Sequence, residues 1–312
     1  MLTYIVRRLF ILVVVVLAVT IIAFSMVHLI PGNPAQIMAG INASPEDVKM
    51  MSKKLGLNKP LYIQYIDYMN GLLHGDFGTS IRTGRSVAHQ LLTRYPATFE
   101  LAVVSIFIAL SVSIIGGVTA ATHHNTFIDN LTMLGALFGV SMPSFWRGLM
   151  LMFLFSLLLG WLPVSGRGDP YTLEWLRHLI LPSVALGVGS AAYLVRLVRS
   201  NMLEILNEEY IKTARSKGLR ETFVIYRHAL KNAFIPIVTM AGMQFGYLLG
   251  GTVVIETVFA WPGLGRLMIN SIFARDFPSI QGAVLMLAVS FALVNLIVDL
   301  TYAFLDPRIR YS

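Results

Sequence analysis

The chain has 312 residues, 56% of them hydrophobic and only 13% charged, with a mean hydropathy of +0.70. A soluble globular domain carries about 25% charged residues, so this composition excludes an ordinary soluble fold, and the long apolar runs place the chain in the membrane class. It has no cysteine, which excludes disulfide frameworks, thiolate metal sites and cysteine nucleophiles; its net charge of +8 reads as Lys and Arg kept on the cytoplasmic side of a membrane, not as nucleic-acid binding.

Arg7 and Arg8 precede an uncharged run from Leu9 to Ile30. A helix of about 20 residues crosses the hydrocarbon core of a bilayer. A cleavable signal has a shorter apolar stretch ending in a small-x-small site, whereas this run ends in Leu29-Ile30-Pro31-Gly32. The reading is an uncleaved first span with a cytoplasmic N-terminus, followed by a long external segment, Pro31–Thr98. Leu101–Ala121 is the second span. The third lies within Leu131–Leu162, a stretch too long for one span and interrupted by Pro143 and Arg147. Its first part is expected as a short or interfacial helix, and Ser144–Leu159 as the better-buried part. The fourth span runs near Leu179–Val198, the fifth near Ala233–Ile255 and the sixth near Ile280–Leu305.

Six spans put both termini on one side, and the charges agree. Arg196, Arg199, Lys212, Arg215, Lys217, Arg220, Arg227 and Lys231, between the fourth and fifth spans, fall on the side of Arg7 and Arg8, as do Arg308 and Arg310. The external segment carries Lys and Arg too, but the positive-inside bias is weak in long loops. The expected fold is therefore all-α: six transmembrane helices, a cytoplasmic loop and an extracytoplasmic N-terminal segment. The expected division is 1–98, the first helix with the external region, and 99–312, a core of five helices. Small and polar residues recur in the spans: Ser111, Ser113, Gly116 and Gly117, then Gly187, Gly189 and Ser190, then Gly242, Gln244, Gly246, Gly250 and Gly251. Such residues let helices approach closely, either for packing alone or for a bundle core that rearranges.

The cytoplasmic stretch from Asn207 to Leu219 reads as a short, well-terminated helix. Asn207 suits an N-cap, Glu208 and Glu209 the first turn, Arg215 and Lys217 the last, and Gly218 the left-handed position after the end. Leu203, Leu206, Tyr210 and Ala214 repeat at helical spacing and are expected on one face, with a second helix from Glu221 towards Lys231. Helix–helix connections usually run about 2–8 residues. This one is far longer, which points to docking on another protein.

The loop resembles the cytoplasmic loop of ABC importer permeases, whose pattern is Glu-Ala-Ala, three residues, Gly. Here Lys212-Thr213-Ala214 fills the triplet before Gly218, so the Glu and first Ala are absent. The form from Tyr210 to Leu219, Tyr-x-x-Thr-Ala-Arg-x-Lys-Gly-Leu, is similar to that of the dipeptide, oligopeptide and nickel permeases. The likeness extends along the chain through Pro31-Gly32-Asn33-Pro34, Leu55–Tyr65, Gly75-Asp76-Phe77-Gly78-Thr79-Ser80, Glu256, Trp261-Pro262-Gly263-Leu264-Gly265, Arg275-Asp276-Phe277-Pro278 and Asp306-Pro307-Arg308-Ile309-Arg310. It implies a coupling helix that sits in a groove on an ATPase subunit and is carried by Glu209, Tyr210, Thr213, Ala214, Arg215, Lys217 and Gly218. It also implies a second permease subunit, two ATP-binding subunits holding ATP and Mg, an extracytoplasmic solute-binding protein and a bacterial inner-membrane location. The implied solutes are peptides, with nickel or another chelated metal as the alternative.

No Gly-x4-Gly-Lys-Ser/Thr, His-Glu-x-x-His or Gly-x-Ser-x-Gly motif occurs, so no catalytic residue, resident cofactor or metal is assigned to this chain. His123-His124 reads as a solvated loop doublet. The rival classes are an intramembrane enzyme, which needs paired acids or a nucleophile and base at membrane depth, and an ATP-independent channel or carrier. Ionisable groups in the spans are chiefly Arg147, with Glu256 and Asp299 near span ends. Arg147, Gln244 and Glu256 are the candidate pathway residues; Arg147 either faces that pathway or snorkels to the outer surface.

Overall fold

A computed structural model describes residues 2–29, 35–36, 43–54 and 56–305; the Pro31-Gly32-Asn33-Pro34 and Asp306–Arg310 strings lie outside the described residues, and with them Arg308 and Arg310. The described chain is helical, and its one β feature is an isolated bridge between Thr79 and Ser86. The helices in order are α1 (Leu2–Leu29), α2 (Pro45–Lys54), α3 (Leu61–Leu73), α4 (Val87–Thr122), α5 (Phe127–Ser141), α6 (Ser144–Leu151), α7 (Leu173–Leu206), α8 (Glu209–Ser216), α9 (Leu230–Val258), α10 (Leu264–Phe273) and α11 (Phe277–Leu305). Five of the described segments are long and apolar enough to cross a bilayer, and α5 with α6 and its continuation to Leu158 passes the same test as a pair, bent by 106° at the break, which gives six if the pair is one span. The expected third span is thus a pair of helices broken at Met142-Pro143. The cause is local: the residue before a proline is driven out of the helical region, and Met142 is extended at φ −85°, ψ 128°.

The centre of the molecule is the pairing of α4 with α7. Ser86 caps the first by accepting from the His89 N–H, and Thr172 caps the second by accepting from Trp175 N–H at 3.2 Å. Two glycines permit the approach. A Cβ on Gly117 would lie 2.5 Å from Val198 Cβ, and one on Gly187 2.7 Å from the Ser105 carbonyl. Around this seam Leu101, Ala102, Leu181, Ala185, Leu248, Leu249 and Ile255 form the largest buried cluster, so α9 packs against both helices. α11 lies on α9, and α1 on α11, with Phe10, Val13, Ile21 and Ile22 turned outward where lipid would be. The proposed 98–99 boundary falls inside α4, so the N-terminal region and the core share one continuous helix.

The N-terminal segment is built on local signals. Ser44 and Asp47 bond reciprocally across the start of α2 with Pro45 at its first position. Those donors, the Ser44 hydroxyl first and its N–H second, hold the Asp47 carboxyl below its usual range. The segment is tied to the bundle by a buried carboxylate: Asp276 accepts from the Ser80 hydroxyl, from Ile81 N–H at 2.9 Å and from the Ser279 hydroxyl at 2.8 Å. α3, α9 and α10 end alike, with a left-handed residue (Gly75, Ala260 and Arg275) followed by an N–H that reaches back five residues.

Gly117→Val places a branched three-carbon side chain inside the α4–α7 seam and is expected to cost about 1–3 kcal/mol. Thermal unfolding of the detergent-solubilised protein should show it. Gly135→Ala, where an added Cβ meets nothing within 4 Å, should leave the transition in place.

Candidate functional site

At one end of the bundle the chain leaves α7, forms α8, turns at Gly218 and re-enters through a turn at Glu221–Phe223 and wider π-type turns at Val224–Ala229 that run without a break into α9. α8 is held by one face: Ile211 and Ala214 are buried among Val118, Val198, Met202, Val224, Ala229, Ala233 and Ile237. Its other side chains face out. Glu209 pairs with Lys212 at 2.7 Å and accepts the Thr213 hydroxyl on its carbonyl. The Tyr210 hydroxyl accepts from Asn232 Nδ2 at 2.7 Å, which links α8 to the start of α9. Arg215 forks onto Glu221 at 2.7 and 3.1 Å, a contact that raises its pKa further and closes the elbow. Lys217 is the C-cap, and Gly218 follows with φ +77°.

Two readings of this loop change. Asn207 does not cap α8: it ends α7, donating from its side chain to the Leu203 carbonyl, while Glu208 occupies the N-cap position with no side-chain bond. The buried face is Ile211 with Ala214, not a line from Leu203 through Tyr210, because the chain breaks helix between Leu206 and Glu209 and the phase restarts. Tyr210 is 40% exposed. Beside the elbow, Asp129 on α5 is 2% exposed and takes two bonds from Arg199 on α7, at 2.6 and 2.7 Å. His124 faces both partners, at 3.3 and 3.1 Å. This clamp fixes α5 to the α7 end that feeds α8, and it accounts for the polar use of His124.

Some distance along α7 lies a cleft of about 300 Å³ at the α5–α6 break, lined from α5, α6, α7 and α9 by Gly139, Pro143, Arg147, Gly189, Gln244 and Tyr247 among others. Non-helical backbone at membrane depth is tolerated where it lines a cavity, and Met142 and Pro143 do so here. Pro143 has no N–H, so the Gly139 carbonyl four residues earlier loses its helical partner; Arg147 Nη1 donates to it instead. The guanidinium lies over Gly189, where a Cβ would come 2.6 Å from Nη2. Arg147 Nε is buried with no acceptor. Arg147 therefore folds into the protein and does not snorkel outward. Gln244 shares its cleft.

Glu256 does not line it. It is fully buried beneath the start of α10, accepting from the Thr98 hydroxyl at 2.7 Å and from Arg266 N–H at 2.9 Å. Thr98 Oγ1 accepts in turn from Leu264 N–H, and Trp261 Nε1 donates to the Ala97 carbonyl, both at 2.8 Å. A Cβ on Gly263 would overlap the carboxylate, so the Trp-Pro-Gly-Leu-Gly string is the mould for this one side chain. A carboxylate suits this place because the first N–H groups of a helix lack partners and its N-terminus attracts negative charge.

The description "binding-protein-dependent transport system inner membrane component" matches residues 113–311, and the N-terminal model for the membrane component of the same systems matches residues 1–102. The chain belongs to this family. The dipeptide transport system permease protein DppB of Alkalihalophilus pseudofirmus is 43% identical, and the glutathione transport system permease protein GsiC is 43% identical in Salmonella typhimurium and 42% in Escherichia coli; each alignment covers all of both chains. The inward-facing MetNI methionine ABC transporter superposes with a TM-score of 0.60 at 18% identity, over 70% of this chain and 96% of that one. An amino acid ABC transporter follows at 0.50 and 16%, over 70% and 94%. These two carry the fold alone. The protein is thus a multi-pass permease subunit of an ABC importer; it is not an enzyme, ATP hydrolysis in such systems falls to a separate subunit, and it works with other components of the transporter.

The sequence pattern does not reveal the roles of Gly139 and Ile211, the seat that Gly189 gives Arg147, or the Asp129–Arg199 clamp. Pro143 four residues after Gly139, with Arg147 four further on, was the one available signal for the cleft. Glu256→Ala strands the Thr98 hydroxyl and the Arg266 N–H and is expected to destabilise by about 2–5 kcal/mol. Glu256→Gln, which keeps an acceptor, should cost clearly less. Thermal unfolding of the purified permease ranks the two.

Proposed function

We propose that this permease imports di- or oligopeptides, glutathione included, into the bacterial cytoplasm across the inner membrane. The reading rests on the full-length identity of 43% to proteins named for dipeptide and glutathione transport, whose named solutes are peptides. The solute is delivered by an extracytoplasmic binding protein and passes through the cleft that holds Arg147 and Gln244. The pathway is completed by a second permease subunit. Glu256 takes a positioning role, setting α10 against α4 and α9.

The elbow docks on one of two ATP-binding subunits, which hold ATP and Mg. Its buried face is spent inside the permease on Ile211 and Ala214, so the outward side chains Glu209, Tyr210, Thr213, Arg215 and Lys217 are the ones left to meet a partner. Ala214 and Gly218 shape the elbow. In this orientation both termini and Arg215 are cytoplasmic, and the segment with α2 and α3 is external. Residues 1–98 form an accessory region and 99–312 the core.

Two measurements test this. Gly218→Val forces a β-branched residue to φ +77°, a strain of about 1–3 kcal/mol at the elbow. Membrane insertion should survive, while substrate-stimulated ATP hydrolysis by the reconstituted importer should be largely lost; full stimulation would refute the docking role. A label on Lys53 should react with an impermeant reagent from outside, and one at Arg215 only from inside. The reverse pattern would invert the topology.

A further inference from the structure

We propose that Arg147 is a carboxylate-reading residue in the transport cleft, so that the permease itself favours solutes with a free carboxylate. The inference rests on the reading above, that this cleft is the solute pathway. Three observations carry it.

Cost comes first. A cation at membrane depth costs roughly 2.5–3.5 kcal/mol on insertion scales. Among the described residues its one side-chain bond is to the Gly139 carbonyl that Pro143 leaves without a partner. A bond from a charged donor is worth about 1.5–3 kcal/mol, so capping that carbonyl at best offsets the cost, and a serine or threonine hydroxyl does the same without the charge. Charge balance follows. A buried cation is ordinarily met by an anion, yet no Asp or Glu is among the cleft-lining residues, and Arg147 has no ion pair among the described residues. The described residues of this chain supply no counter-charge in the cleft, and a solute carboxylate can. Preorganisation is the last. The guanidinium is anchored by Nη1 to Gly139, and the bare backbone of Gly189 supports it. Nη2 makes no hydrogen bond among the described residues and is left to meet a carboxylate, while Nε lies buried without an acceptor. Gln244 and Tyr247, on the facing α9, line the same cleft.

Gly189 is then a positioning residue. Alanine there puts a carbon 2.6 Å from Nη2 and displaces the fork without removing the charge.

The test uses the whole importer in proteoliposomes with saturating binding protein. Four solutes are compared: trialanine, its C-terminal amide, and two amidated tripeptides with glutamate or glutamine in the middle. The binding protein is the same in every arm, so any change of preference between parent and variant originates in the permease. The parent should import the free acid about tenfold faster than the amide, the worth of one charge-assisted hydrogen bond. In Arg147→Ala that ratio should fall to within about twofold of one, because the bond to the carboxylate is removed, while loss of the cap on the Gly139 carbonyl affects acid and amide alike. Arg147→Lys should fall between, since the charge stays and the fork is lost. Gly189→Ala should lose the preference at normal expression. A preference confined to the glutamate and glutamine pair, lost in the same variants, supports the proposal with a side-chain carboxylate as the group read. Equal loss of acid and amide uptake in Arg147→Ala, with the ratio unchanged, would mean a structural cap only and overturn it. So would a parent with no preference. If the parent imports no peptide at all, the import reading fails and this inference falls with it.

Discussion

The close contact between α4 and α7 is the constraint on which the other features depend. Without water to compete, helices in a bilayer hold together by packing and by the few polar bonds they share. Gly117 and Gly187 bring the two backbones close enough for Val198 and the Ser105 carbonyl to occupy the space of a side chain. α7 then becomes a fixed rod. Gly189 lies beneath Arg147, Arg199 holds Asp129, and the end at Leu206 feeds the elbow. From Gly189 to Leu206 the rod is about 25 Å at 1.5 Å per residue. The cleft and the elbow are therefore two points on one helix, and a second helix, α9, also joins them, from the elbow's exit to Gln244.

Buried carboxylates explain three of the motif strings among the described residues, Gly75–Ser80, Trp261–Gly265 and Arg275–Pro278. Glu256 organises the start of α10, and Asp276 the junction of α11 with the N-terminal segment. Each is surrounded by hydroxyl and backbone donors, and at Glu256 glycines stand where a side chain would collide. The strings distant in sequence, Gly75–Ser80 with Arg275–Pro278, and Thr98 with Trp261–Gly265, are two halves of shared hydrogen-bonded sites. A buried polar group left without partners costs more than a bond made returns, so neither half tolerates change alone.

The helix break at Pro143 is the one place where the bundle departs from continuous helix at membrane depth within the third span. It frees a carbonyl, the carbonyl fixes an arginine, and the arginine faces a cleft without an acidic partner. The π-type turns at Met152–Leu158 and Val224–Ala229 lie in the same two regions, the broken helix pair and the elbow's return. Wide turns of this kind mark functional segments of helices.

The sequence by itself determined the class, the apolar segments able to span a bilayer and the existence of the elbow. Those follow from chain-local physics: apolar length against bilayer thickness, basic residues beside spans, and a glycine where only a left-handed turn fits. It also singled out Arg147, because a charge inside an apolar stretch stands out against its neighbours. Only the tertiary structure decided what each polar group meets. Glu256 and Arg147 look alike in the sequence, each an ionisable residue in or near a span, yet one is enclosed by Thr98 and the start of α10 while the other lines an open cleft with Gln244. The phase of α8 was likewise undetermined locally. Whether Tyr210 or Ile211 turns inward depends on the break after Leu206 and on the surface that Val198, Met202 and Val224 present. Partners 70 or 158 residues away, as with Arg199 for Asp129 and Glu256 for Thr98, leave no trace in local spacing, because burial and not sequence distance sets which charge a side chain must meet.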